Sequence, residues 1–154
     1  MIDKSKIVVI VAAVRTPIGS YKGLLKNMRP DQLGSIVINE VLNRSKFDKE
    51  EIDEIIMGQV LTAGAGQNPA RQAAINSGIP ISKPAHIVNQ VCGSGLRAVI
   101  SGYQSIKLGD SLNVKSSKIG EAFLLLKKKK IIKSNYYFLS KNGNSKEDER
   151  KLYT

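Results

Sequence analysis

The chain has 154 residues, enough for one domain with a substantial aliphatic core, and carries a formal net charge of +11. Its one cysteine excludes an internal disulfide and fits a reducing, cytoplasmic setting, and no apolar run reaches the length of a membrane span. Lys and Arg outnumber Asp and Glu by 13 to 9 over residues 1–110 but by 11 to 4 over residues 111–154, so the charge belongs to the end of the chain and no nucleic-acid-binding face is expected.

The first six residues and the short apolar run after them superficially mimic a secretion signal. Arg15 and Thr16-Pro17 follow, however, instead of a small-residue cleavage site. Ile7-Val8-Val9-Ile10-Val11 is continuous, apolar and mostly β-branched, which predicts a strand covered on both faces. A loop with Gly19, Gly23 and Pro30 comes next. Asp31 is a plausible N-cap, and Leu33, Ile36, Val37 and Val41 keep a helical period to about Arg44. A second strand is predicted from Glu54 to Val60. After a glycine-containing loop, Asn68 and Pro69 open a short helix that Gly78 ends. The loop at 63–67 has neither the P-loop spacing nor Gly-x-Gly-x-x-Gly, so a phosphate site there has little support. Pro80 and Pro84 bracket a linker into a third strand, Ala85 to Val88. Leu96, Val99, Ile100, Tyr103 and Ile106 then recur at steps of three and four, with Gly109 as the stop. The order is β-α-β-α-β-α, and strands alternating with helices predict an α/β fold with a mainly parallel sheet.

Cys92 falls where the third strand turns into the third helix. Gly93 and Gly95 permit a tight turn and a close approach by a ligand. The positive end of the helix points back at the sulfur, and a thiolate is the nucleophilic form of cysteine. The competing reading is a small buried hydrophobe without chemistry. A serine elbow is a poor alternative, because the Gly-x-Ser-x-Gly spacing is wrong around Ser94. Arg71 can be read as a solvated helix residue and Asn89 as a turn residue. His86 reads as a strand residue rather than a catalytic base.

The run Asn89-Gln90-Val91-Cys92-Gly93-Ser94-Gly95-Leu96-Arg97-Ala98 resembles the acyl-enzyme motif of thiolases, specifically acetyl-CoA acetyltransferases. Val11 to Gly19, Met57-Gly58-Gln59-Val60 and Gly64 to Ala74 resemble successive parts of the same family, so the likeness runs from about Ile7 to Asp110. It implies an acyl-cysteine on Cys92 and a Claisen condensation of two acetyl-CoA molecules, or the reverse thiolysis. It also implies a homo-oligomer, acyl-CoA as substrate, and no metal or organic cofactor. The glycine loop would lie near the active site and the dimer contact. The family also uses a second cysteine and catalytic histidine motifs. This chain has one cysteine, and its only histidine, His86, is not in a Gly-His-Pro context. The chain is therefore expected to be a partial N-terminal thiolase domain, inactive alone. The alternative is a non-catalytic piece that pairs with an intact thiolase.

The resemblance predicts two parts: residues 1–110, the partial domain, and residues 111–154, a basic, irregular tail. Leu112 to Leu139 has no clean period, and Ser140 to Thr154 is polar and charged. A short membrane-surface segment is the weaker reading of its lysines beside apolar residues. The tail is rich in Lys, Ile, Asn, Leu, Tyr and Ser, as an out-of-frame reading of AT-rich DNA would be. Translating the downstream nucleotide sequence in the other two frames is expected to reveal a thiolase continuation, and finding none in either frame would refute that origin.

Overall fold

The computed structural model describes residues 8–118 and 121–127. Its elements are β1 (Val8–Arg15), α1 (Pro30–Ser45), a 3-10 turn at Lys49–Glu51, β2 (Glu54–Gly58), α2 (Pro69–Asn76), β3 (Ala85–Val88), α3 (Ser94–Leu108), β4 (Asn113–Lys118) and β5 (Glu121–Lys127). The five strands form one sheet in the order β1-β5-β4-β2-β3. β2 is parallel to both β3 and β4, and β5 is antiparallel to β4 and to β1. Four strands therefore run in one direction and only β5 opposes them. The expected mainly parallel α/β arrangement holds.

β2 explains why the sheet is covered on both faces. Its side chains alternate, so Ile55 and Met57 point one way and Ile56 the other. Ile55 and Met57 pack with Val37, Ile38, Val41 and Leu42 of α1 and with Ala70, Ala73 and Ala74 of α2. Ile56 packs with Ala98 and Ile106 of α3 and with Val114 of β4. α1 and α2 touch each other closely because Gly34 has no side chain. A Cβ there would lie 2.8 Å from both the Ala73 Cβ and the Met57 Cε.

Helix ends follow the local chemistry. Asn68 caps α2 as expected: its Oδ1 accepts from the Arg71 N–H at 3.1 Å. Pro69 takes the first helical position, where no N–H is needed. Gly109 closes α3 with φ 92°. Asp31 is a correction: Arg29 is the N-cap of α1, and Pro30, whose fixed φ suits the first helical position, starts the helix two residues earlier than an Asp31 cap would. Asp31 is buried inside the first turn, with Oδ1 2.9 Å from the Arg29 Nε and Oδ2 accepting from the Asn76 Nδ2 at 3.2 Å.

The segment after residue 110 also differs from expectation. Where described, it is not irregular: β4 and β5 lie between β1 and β2. A strand with neighbours on both sides is held by its backbone, and β propensity depends on such surroundings more than on an alternating pattern. Periodicity therefore missed both strands. The expectations for residues 140–154, and for the first six residues, lie outside the described residues.

The core assignment separates two neighbouring isoleucines of α1. Ile38→Ala, at a fully buried site, is expected to lower unfolding free energy by about 2–5 kcal/mol. Ile36→Ala, at an exposed site, should change it by less than about 1 kcal/mol. Urea denaturation of the two variants checks this, and equal losses would contradict it.

Candidate functional site around Cys92

β2 and β3 end side by side, Gly58 opposite Val88, and the Gln59 N–H donates to the Val88 carbonyl at 3.1 Å. Six residues after Val88 the chain is in α3. The intervening turn contains Cys92, which is exposed and unpaired with any other cysteine. Its shape is held by two buried or turn-forming polar side chains. The Asn89 Oδ1 accepts from the Val91 N–H at 2.9 Å, while its Nδ2 donates to the Val60 carbonyl at 3.1 Å. The Ser94 hydroxyl donates to the Val91 carbonyl at 2.6 Å and accepts from the Gln90 N–H at 2.9 Å. Gly93 donates back to the Gln90 carbonyl at 2.9 Å.

The clamp holds Val91 at φ 49°, a left-handed conformation that a β-branched residue adopts only under constraint. The residue before the sulfur is therefore fixed rather than free to choose. Gly93 is the N-cap of α3, no side chain caps that end, and the first turn holds no acidic residue. Cys92 thus immediately precedes the N-cap of a 15-residue helix whose positive end carries no acidic side chain in its first turn. This arrangement suits attack on an electrophilic carbonyl and stabilisation of the oxygen charge that develops.

Gly58 is a site residue that sequence reasoning passed over as part of a strand. A Cβ on it would lie 2.4 Å from the Ser94 carbonyl carbon and 2.6 Å from the Gly95 nitrogen. The first turn of α3 thus sits directly on the end of β2. Its signal was present, since an isolated Gly at the end of a strand pattern marks a close backbone approach. Gln59, next in sequence, is buried and donates through Nε2 to the Leu61 carbonyl at 2.7 Å; among the described residues its Oε1 has no hydrogen-bond partner.

The other singled-out residues have structural partners. Arg71 is more than a solvated side chain: it donates to the Lys83 carbonyl at 2.7 Å and the Ile81 carbonyl at 2.6 Å, pinning the linker before β3. Asn68 donates to the Ala85 carbonyl at 2.8 Å. In the glycine loop, Gln72 donates to the Ala65 and Gln67 carbonyls at 2.9 and 2.7 Å and accepts from Arg29. His86 Nδ1 lies 3.3 Å from Glu54 Oε1, and Glu54 begins β2. Cys92 follows the opposite, C-terminal end of the parallel pair.

The fold is an α/β domain that presents its one cysteine on a clamped turn between a parallel strand and the start of a helix. Residues 8–114 match the thiolase N-terminal domain, and the chain belongs to the thiolase family. It is 53% identical over 104 residues to an acetyl-CoA acetyltransferase of Pseudomonas aeruginosa, covering 68% of this chain and 26% of that one. The cytosolic acetyl-CoA acetyltransferase of Mus musculus is 54% identical over 104 residues, with the same coverage. Among solved structures, a thiolase from Ascaris suum in complex with coenzyme A superposes with a TM-score of 0.70 at 42% identity. That match covers 71% of this chain and 28% of the other. The chain thus spans about a quarter of the length of the curated relatives it matches.

Gly58→Ala tests the strand-to-helix contact. The backbone atoms it would strike cannot rotate away, so the first turn of α3 must shift. The expected result is a loss of about 2–4 kcal/mol in stability together with a changed rate of Cys92 alkylation by iodoacetamide. Unchanged stability and an unchanged alkylation rate would contradict the contact.

Proposed function

We propose that this chain carries the acyl-accepting half of an acetyl-CoA C-acetyltransferase, with Cys92 as the nucleophile. The observation that carries the reading is the exposed Cys92 on its clamped turn, inside a segment about half identical to acetyl-CoA acetyltransferases. The Cys92 thiolate attacks the thioester carbonyl of acetyl-CoA. A new carbon–sulfur bond forms to Cys92, the bond to the coenzyme A sulfur breaks, and coenzyme A leaves as its thiolate and takes a proton. The oxyanion that develops needs hydrogen-bond donors, and this reading assigns them to free backbone N–H groups in the first turn of α3.

The second half is carbanion formation on another acetyl-CoA, attack on the acyl-cysteine, and release of acetoacetyl-CoA. It needs an acid/base group at the substrate α-carbon. This chain has one cysteine and one histidine, and the histidine is held by Glu54 away from the turn. No residue of this sequence carries that step, so this stretch is expected to accept an acyl group without turnover. The coenzyme A thioester is the substrate and no cofactor is invoked. Homo-oligomerisation and a cytoplasmic location belong to the same proposal. No helix of the described residues is long and apolar enough to cross a membrane. The division into residues 1–110 and a basic tail, residues 111–154, is also part of it; the family match runs to residue 114.

Incubation of the full chain with acetyl-CoA, followed by peptide mass spectrometry, tests the assignment. An acetyl thioester on the Cys92 peptide is expected, absent in Cys92→Ala and removed by hydroxylamine, with no acetoacetyl-CoA formed. Acetylation confined to lysines, or sustained turnover by the isolated chain, would overturn it.

A further inference from the structure

We propose that Gln59 is a positioning residue for Cys92, holding the nucleophile's turn through the loop that follows β2; its effect on acylation rests on the nucleophile reading of Cys92. Burial runs against polarity in this loop. Gln59 is 5% exposed, whereas Val60 and Leu61 after it are 40% and 82% exposed. Burial alone would favour the reverse, with the leucine inside and the amide in water. The inverted order implies that the amide is kept inside for what it bonds to.

Those bonds lead to the nucleophile's turn. The Gln59 N–H donates to the carbonyl of Val88, the last residue of β3. Its Nε2 donates to the Leu61 carbonyl at 2.7 Å, which closes the side chain around Val60. The Val60 carbonyl accepts from the Asn89 Nδ2 at 3.1 Å, and the Asn89 Oδ1 accepts from the Val91 N–H at 2.9 Å. Val91 precedes Cys92 and is the residue held at φ 49°. A continuous path therefore runs from Gln59 through Leu61, Val60 and Asn89 to the backbone beside the sulfur. The grip on Leu61 fixes a stretch whose own side chains lie largely in solvent and add little packing to aim the Val60 carbonyl.

The other half of the amide contributes nothing of this kind. Gln59 Oε1 is buried and, among the described residues, has no hydrogen-bond partner. An unpaired buried acceptor destabilises the fold. An apolar side chain of similar length removes that penalty together with the Nε2 bond, so its two effects on stability oppose each other. Its effect on the turn is a loss only. Stability and turn geometry thus respond differently to one substitution, which separates positioning from packing.

The test is Gln59→Met in the full chain. Its readouts are the melting temperature, native-state hydrogen exchange at the Val91 N–H, and the rate of Cys92 acetylation by acetyl-CoA. The melting temperature is expected to change little, Val91 exchange to quicken at least about tenfold relative to the β3 amides, and acetylation to slow about tenfold. Gln59→Leu should act in the same direction. Gln72→Met, which frees the far end of the same loop at the Ala65 and Gln67 carbonyls, should leave Val91 exchange unchanged. Unchanged Val91 exchange in both Gln59 variants overturns the proposal. So does a lowered melting temperature with equal acceleration across the β3 amides, which marks a packing role alone. An equal response to Gln72→Met also overturns it, because the whole loop would then be the clamp. If the unsubstituted chain takes no acetyl group on Cys92, the nucleophile reading fails, while Val91 exchange still decides whether Gln59 holds the turn.

Discussion

Where β2 ends, Gly58 lies against the backbone of Ser94 and Gly95 with no side chain between them. This approach fixes how close α3 can sit to the sheet, and so where the turn that feeds it must go. The hydrophobic contacts of Ile56 with Ala98 and Ile106 press the helix onto the strand, but they have no direction of their own. The direction comes from the polar clamp. Asn89 ties the turn to the loop after β2, and the Ser94 hydroxyl closes it on itself. The left-handed backbone at Val91 is the local strain that this over-determined turn sustains.

Other loops are held in the same way, by side chains that bond to carbonyls. Arg71 pins the linker before β3, Asn68 ties α2 to Ala85, and Gln72 gathers the glycine loop. The network reaches back to α1 through Arg29, Asp31 and Asn76. α2 is thus a hub whose polar side chains fix the glycine loop and the linker into β3, while its alanines fill the core. A turn held on such a scaffold moves little.

Much of this was legible in the sequence where local signals agree. His86-Ile87-Val88 as a strand end, the Gly-Ser-Gly after Cys92 and the three-and-four spacing from Leu96 point to strand, turn and helix, and the structure has them there. Asn68-Pro69 and Gly109 marked helix ends correctly for the same reason. Contacts between distant residues were not legible. Nothing around Gly58 says that Ser94 will lie on it, and nothing near Arg71 names the Ile81 and Lys83 carbonyls. β4 and β5 escaped because their place depends on neighbours rather than on pattern.

The central physical claim is that the turn bearing Cys92 is rigidly preset. The Gln90 N–H donates to the Ser94 hydroxyl at 2.9 Å. Native-state hydrogen exchange at the Gln90 N–H of the full chain reads that bond directly. The account predicts protection comparable to that of the β3 amides, lost in Ser94→Ala; exchange as fast as in an unstructured peptide would contradict it.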